Sequence, residues 1–311
     1  MRRILACTDL SDLSAAAFRP AARLAQRFDA EVTLLYVIDA LEYNATFPYP
    51  NVAQHRAEIE RAARRKLEWR ARQLMELGAP RVKWTYRVGT PYREVLTEIE
   101  TEGDYDLLVL ATHGWSGFRR LLVGSLTETL VRHAPCPVLA VHSPQEEVPF
   151  EPRRILAASD LSEGADAGLR YAGSLAGAFD ADLEVVHVFR DPIPFGGLLD
   201  VPPLLSADPE RLAELRERFT AELARQVERL ELPVAVRCTV VDDSQPARAI
   251  ADLARHGDFD LVVVSSHGRR GLENLVLGSV TERLVRISEV PVLVVRPGEF
   301  SIRLPTLEVQ R

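Results

Sequence analysis

A chain that repeats itself must fold into something that accommodates two equivalent units, and internal repetition is the strongest constraint this sequence carries. Arg2-Arg3-Ile4-Leu5-Ala6 returns as Arg153-Arg154-Ile155-Leu156-Ala157, Asp9-Leu10-Ser11 as Asp160-Leu161-Ser162, and Phe28-Asp29-Ala30 as Phe179-Asp180-Ala181. From position 9 to position 160 the shift is 151. Further on, Gly103-Asp104-Tyr105-Asp106-Leu107 matches Gly257-Asp258-Phe259-Asp260-Leu261, and His113-Gly114 matches His267-Gly268. From 114 to 268 the shift is 154, so the second copy carries three more residues in its middle.

Within the first copy, short apolar runs alternate with helical patterns. Ile4 to Cys7 reads as a strand, Ser14 to Phe28 as a helix, Val32 to Ile38 as a strand, and Gln54 to Leu77 as a helix. Val82 to Val88, Tyr92 to Glu100, Asp106 to Ala111, Thr127 to His133 and Val138 to His142 continue the alternation of strand and helix. Leu107-Leu108-Val109-Leu110 and Leu261-Val262-Val263-Val264 are unbroken apolar runs, as expected of strands covered on both faces. The expected fold is therefore α/β: two tandem Rossmann-like domains, each a five-stranded parallel sheet flanked by helices. The polar, proline-rich stretch from Ser143 to Pro152 divides them, giving domains at 1–146 and 152–298 and a tail at 299–311.

Composition limits the function classes. The chain has 311 residues, 47% of them apolar, and a net charge of −7 with scattered basic residues, so neither nucleic acid nor an anionic membrane is an expected partner. Cys7, Cys136 and Cys238 are odd in number and widely spaced, which supports neither a disulfide framework nor a zinc knuckle. With no apolar leader after Met1 and no run long enough to span a bilayer, the expected location is cytoplasmic.

Ligands of open parallel sheets bind beyond the carboxyl ends of the strands. Thr8-Asp9 and Ser159-Asp160 follow the first strand of each copy, Val37-Ile38-Asp39 and Val188-Phe189-Arg190 end the second, and Ala111-Thr112-His113-Gly114 and Ser265-Ser266-His267-Gly268 follow the fourth. Each of these last loops runs nine residues further to Gly124-Ser125-Leu126-Thr127-Glu128 or Gly278-Ser279-Val280-Thr281-Glu282. Glycines let the backbone approach a bulky anion, and a helix start offers unpaired N–H groups with partial positive charge. The pattern is neither a Walker loop nor the GxGxxG fingerprint. Other readings stand beside this one. The Ser-x-x-Glu segments are also capping boxes, Asp9 and Asp160 are also turn formers, and His113 and His267 are also ordinary loop histidines.

These residues resemble those of tandem universal stress proteins, whose nucleotide-binding members carry Gly-x2-Gly-x9-Gly-Ser/Thr after the fourth strand and an Asp after the first. The resemblance covers about Arg3 to Val141 and Arg154 to Val295. It implies ATP as ligand, with or without Mg²⁺. Asp9, Asp160 and the backbone of Val37 and Val188 would face the adenosine, beside Thr8 and Ser159. Ala111, Gly114, Gly124, Ser125 and Thr127 would line the phosphates in one copy, and Ser265, Gly268, Gly278, Ser279 and Thr281 in the other, with His113 and His267 alongside. Ala111 and Ser265 stand where the motif has its first glycine, so each site carries a side chain the motif lacks. The resemblance further implies pairing of the last strands as an internal pseudo-dimer, with homodimerisation open, and a nucleotide-responsive regulatory protein with an unidentified protein partner. A slow ATPase or self-phosphorylating enzyme, and a degenerate non-binding member, are the alternatives. No residue is assigned a catalytic or metal-binding role.

Overall fold

The computed structural model describes residues 1–44, 51–112, 125–142, 150–190, 209–266 and 277–296. In the first half the strands are β1 (Arg3–Thr8), β2 (Glu31–Asp39), β3 (Arg81–Gly89), β4 (Leu107–Ala111) and β5 (Val138–Val141). The helices are α1 (Phe18–Phe28), the short α2 (Ala40–Tyr43), α3 (Val52–Glu76), α4 (Pro91–Glu102) and α5 (Ser125–His133). The second half repeats the scheme with β6 (Arg154–Ala158), α6 (Glu163–Phe179), β7 (Asp182–Phe189), α7 (Pro209–Leu230), β8 (Val236–Asp242), α8 (Pro246–His256), β9 (Leu261–Ser265), α9 (Ser279–Ile287) and β10 (Val292–Val295).

Within each half all strand pairs are parallel, and the two five-stranded sheets join into one sheet of order β3-β2-β1-β4-β5-β10-β9-β6-β7-β8. The joint is antiparallel and pairs Val138 with Val294, Leu139 with Leu293, and Ala140 with Val292. Alternation along the strands explains the two-sided burial. Ile4 and Ala6 enter the core layer beneath α1, α3, α6 and α7, whereas Leu5 and Cys7 enter the layer beneath α4, α5, α8 and α9. Both layers run through both halves.

The repeated phrases have structural work to do at the end of the sheet away from the site. Asp106 Oδ2 accepts from the Arg3 N–H at 2.9 Å, and Asp260 Oδ2 accepts from the Arg154 N–H at 2.9 Å. The Arg3 guanidinium lies 4.4 Å from the Tyr105 ring centroid and that of Arg154 lies 4.6 Å from Phe259, so each Arg-Arg phrase is fastened to its Gly-Asp-aromatic-Asp phrase. Phe-Asp-Ala ends a helix in both copies: Asp29 and Asp180 cap α1 and α6 in the left-handed region, at φ 50° and 53°.

One helix differs from expectation. Ser14 to Ala17 form a 3₁₀ turn and α1 begins only at Phe18, because Pro20 has no N–H to donate to the carbonyl four residues back. In the second copy Tyr171 occupies that place and α6 runs unbroken through it.

Candidate functional site

Strand order reverses between β1 and β4, and again between β6 and β9, and the carboxyl ends of strands at such a switch point are where open parallel sheets form a ligand crevice. After β1 the chain makes a tight turn in which Asp9 Oδ1 accepts from the Ser11 N–H at 3.0 Å and from the Ser11 hydroxyl at 2.6 Å. After β6, Asp160 Oδ1 accepts from the Ser162 N–H at 3.1 Å and the Ser162 hydroxyl at 2.5 Å. The turn-forming role of both aspartates is thus present in both copies. Between them sit Leu10 and Leu161 in the left-handed region, at φ 65° and 64°. Leucine is costly there, and the same strain recurring at equivalent places marks a turn held in one shape by its surroundings. Part of the hold is local, since the Leu10 N–H donates to Thr8 Oγ1 at 2.9 Å and the Leu161 N–H to Ser159 Oγ at 3.0 Å.

Across the crevice, α5 and α9 begin at Ser125 and Ser279, both exposed. The capping-box reading is corrected at α9. Gly278 is the N-cap residue, no side chain caps the helix, and the Glu282 N–H donates to the Gly278 carbonyl at 2.9 Å. Ser279 is therefore the first helical residue, with the helix's first N–H groups beside it. Thr127 and Thr281 are buried and tie the helix starts to the strand ends: Thr127 Oγ1 donates to the Ala111 carbonyl at 3.3 Å and Thr281 Oγ1 to the Ser265 carbonyl at 2.9 Å.

The side chain at the first motif position does not enter the crevice in the second half. Ser265 Oγ accepts from the Gly168 N–H at 3.1 Å and donates to the Ala165 carbonyl at 3.3 Å, so it is absorbed by the first turns of α6. Val37 and Val188 lie half-buried near the ends of β2 and β7. The turns with Thr8, Asp9, Ser159 and Asp160, the strand ends Ala111 and Ser265, and the starts of α5 and α9 are thus placed at one end of the sheet. His113, Gly114, Gly124, His267 and Gly268 lie outside the described residues.

Several residues that hold the two turns were passed over in the sequence. Arg70 on α3 and Gln226 on α7 reach the two turns from the neighbouring helix, and His187 Nδ1 lies 2.8 Å from the Ser159 carbonyl. A polar residue at a helix position otherwise occupied by buried leucines, Leu67 and Leu74 or Leu223 and Leu230, was the available signal. Among the described residues no group of three or more His, Cys, Asp or Glu is placed to hold a metal ion. Burial pushes the Cys7 thiol far up, and that of Cys136 up to about 12, so neither supplies a nucleophile near neutral pH. The turns thus carry the Asp9 and Asp160 carboxylates, and α5 and α9 begin at Ser125 and Ser279 at the same end of the sheet.

Comparison with known proteins supplies the context. The family model described as the universal stress protein family matches residues 1–142 and 151–296. A universal stress protein of Mycolicibacterium smegmatis is 30% identical over 302 residues, covering 94% of this chain and 97% of that protein. One from Mycobacterium tuberculosis is 32% identical over 205 residues, covering 65% of each chain. Among solved structures, a universal stress protein from Archaeoglobus fulgidus superposes with a TM-score of 0.66 at 22% identity, covering 95% of this chain and 98% of that one. No helix among the described residues is long and apolar enough to cross a membrane.

Proposed function

The chain belongs to the universal stress protein family, and from that premise we propose that it binds ATP in its two crevices and acts as a nucleotide-responsive regulatory protein. In this reading the Asp9 and Asp160 turns, with the backbone at Val37 and Val188, receive the adenosine. The starts of α5 and α9, with Ser125, Gly278 and Ser279, receive the phosphates together with the glycines and histidines of the loops before them. The observation that carries the reading is the recurrence in both halves of the same strained aspartate turn, at the carboxyl end of the sheet opposite a helix start. The place of Ser265 supports it further. Its hydroxyl is turned into α6, so the missing motif glycine leaves the second crevice unobstructed by that side chain.

The test is release and rebinding. Purified protein is denatured, any nucleotide set free is identified and quantified by chromatography, and the emptied, refolded protein is titrated with ATP in a calorimeter. Up to two ATP per chain are expected, with Asp9→Ala and Asp160→Ala each weakening one site by about tenfold, the worth of one net polar contact. Protein that is empty as purified and takes up no added ATP overturns the reading.

A further inference from the structure

α3 and α7 each cover the sheet with a buried stripe whose polar member is Arg70 in the first half and Gln226 in the second, between Leu67 and Leu74 or Leu223 and Leu230. A buried polar group is tolerated only when it is partnered. In both halves most of the partners come from the aspartate turn, with Gln73 of α3 and Asp166 of α6 supplying the others, while Arg70 Nε is buried without a hydrogen-bond partner among the described residues. Arg70 Nη2 donates to the Leu10 carbonyl at 3.2 Å and to Asp12 Oδ1 at 2.8 Å, while Nη1 donates to Gln73 Oε1 at 2.9 Å. The guanidinium is stacked over Trp69, 4.5 Å from the ring centroid, and its side chain is only 5% exposed. Gln226 Nε2 donates to the Ser162 carbonyl at 3.1 Å and to Asp166 Oδ1 at 2.7 Å, and its Oε1 accepts from the Ser159 hydroxyl at 2.6 Å.

The two clamps are matched to different turns. In the first half Thr8 Oγ1 bonds Ser14 Oγ at 2.8 Å, and the Ser14 hydroxyl in turn donates to the Ser11 carbonyl at 2.9 Å. The residue in Ser14's place in the second half is Ala165, which has no hydroxyl, and it is there that the Ser159 hydroxyl turns to Gln226. Ser14 with Arg70 and Ala165 with Gln226 are therefore alternative ways of satisfying one turn. We infer that Arg70 and Gln226 are positioning residues that hold the Asp9 and Asp160 turns in the shape that receives the nucleoside, each acting on its own half and each matched to its partner at position 14 or 165. The inference rests on the nucleotide-binding reading for its consequence, though the hold on the turn is a property of the protein without ligand.

The experiment uses the full chain with one site weakened at a time. In an Asp160→Ala background, where the first site is the tighter, Arg70→Ala is expected to weaken the tighter ATP-binding step about tenfold, and in an Asp9→Ala background, where the second site is the tighter, to leave that step unchanged. The Ser14→Ala, Arg70→Gln double variant, which transplants the second half's clamp, is expected to bind more tightly than Arg70→Gln alone. Leu67→Ala serves as the control, because it destabilises the same helix without touching the turn. Equal losses from Leu67→Ala and Arg70→Ala, or no rescue by the transplant, overturn the inference. Amide hydrogen exchange without nucleotide provides the separate readout: Arg70→Ala is expected to speed exchange at Leu10 and Ser11 and not at Leu161 and Ser162. Unchanged exchange at Leu10 and Ser11 overturns the inference, whereas accelerated exchange in a protein that takes up no ATP means that the functional reading alone has failed.

Discussion

At the scale of single residues, the two halves solve the same packing problem with different pairs. Ser265 and Gly168 in the second half stand where the first has Ala111 and Ala17. A Cβ on Gly168 would lie 2.7 Å from Ser265 Oγ and 3.2 Å from the Ser265 nitrogen, so the small residue on the helix makes room for the larger one on the strand. Gly168→Ala is therefore expected to cost about 1–3 kcal/mol by overpacking, and Ser265→Ala about 1 kcal/mol through its lost hydrogen bonds. The double variant recreates the first half's alanine pair and removes a helical glycine. Urea unfolding should show it close to the wild type, a strongly non-additive cycle. Additive losses would mean that the two positions do not share space. The sequence showed that the first motif glycine was missing but not where the new side chain went, because that depends on a residue 97 positions away. A second prediction concerns Cys136. Burial raises its thiol from the ordinary 9.0 to about 12, so between these values the unfolded chain releases a proton that the folded chain keeps. Stability should fall as pH rises from 9 toward 12. Melting curves of Cys136→Ala should fall less steeply over that window; parallel curves would contradict the assignment.

At the scale of elements, the strands and helices were legible because their apolar spacing is decided locally, whereas the ways they begin and end were not. Ser125 and Ser279 read as helix caps, yet α9 takes its cap from Gly278, and a one-residue shift at a helix start changes which N–H groups face the crevice. The contacts between α5 and α9 were likewise silent in the sequence, because they join the two halves, whereas Glu282 and Arg286 four residues apart on α9 form a pair of the locally legible kind. Arg286 donates to Glu128 at 2.6 Å and to Glu282 at 3.4 Å, and Arg132 donates to Glu282 at 3.3 Å. Each helix thus offers a first-turn glutamate to a last-turn arginine of the other, an arrangement its dipole also favours. All four side chains are about one-third exposed or more, so solvent screens them and their worth is small. Arg286→Ala, which removes two contacts, is expected to cost no more than about 1 kcal/mol and Arg132→Ala less, with both losses shrinking in high salt. Urea midpoints at low and high salt check this. A larger, salt-independent loss would point to packing of the arginine stem instead.

At the scale of the whole molecule, the register of the central joint has a consequence for how such a chain can be divided. In the second half Val292, Leu293 and Val294 stand where the first has Val138, Leu139 and Ala140. The observed pairs, Val138 with Val294, Leu139 with Leu293 and Ala140 with Val292, are therefore symmetric about the two leucines. An isologous contact of this kind can be built equally well by two copies of one half. In such a dimer Leu139 would face its own counterpart, and Glu128 would meet the other copy's Arg132 in place of Arg286. The fragment 1–146, cut from the chain, would expose β5 as an unpaired apolar edge, and an exposed edge of that composition seeks a strand to pair with. It is expected to self-associate into dimers at micromolar concentration, as sedimentation velocity would show. The β5 variant Leu139→Lys should abolish the dimer, since it places like charges opposite each other at the symmetry point. In the full chain, by contrast, the same substitution meets Leu293 once, and the tether holds the halves together at high effective concentration, so one molecule should stay one molecule. A fragment that remains monomeric at high concentration would mean that the joint is held by the linker and the helix contacts around Phe28 and Phe179 more than by its strands.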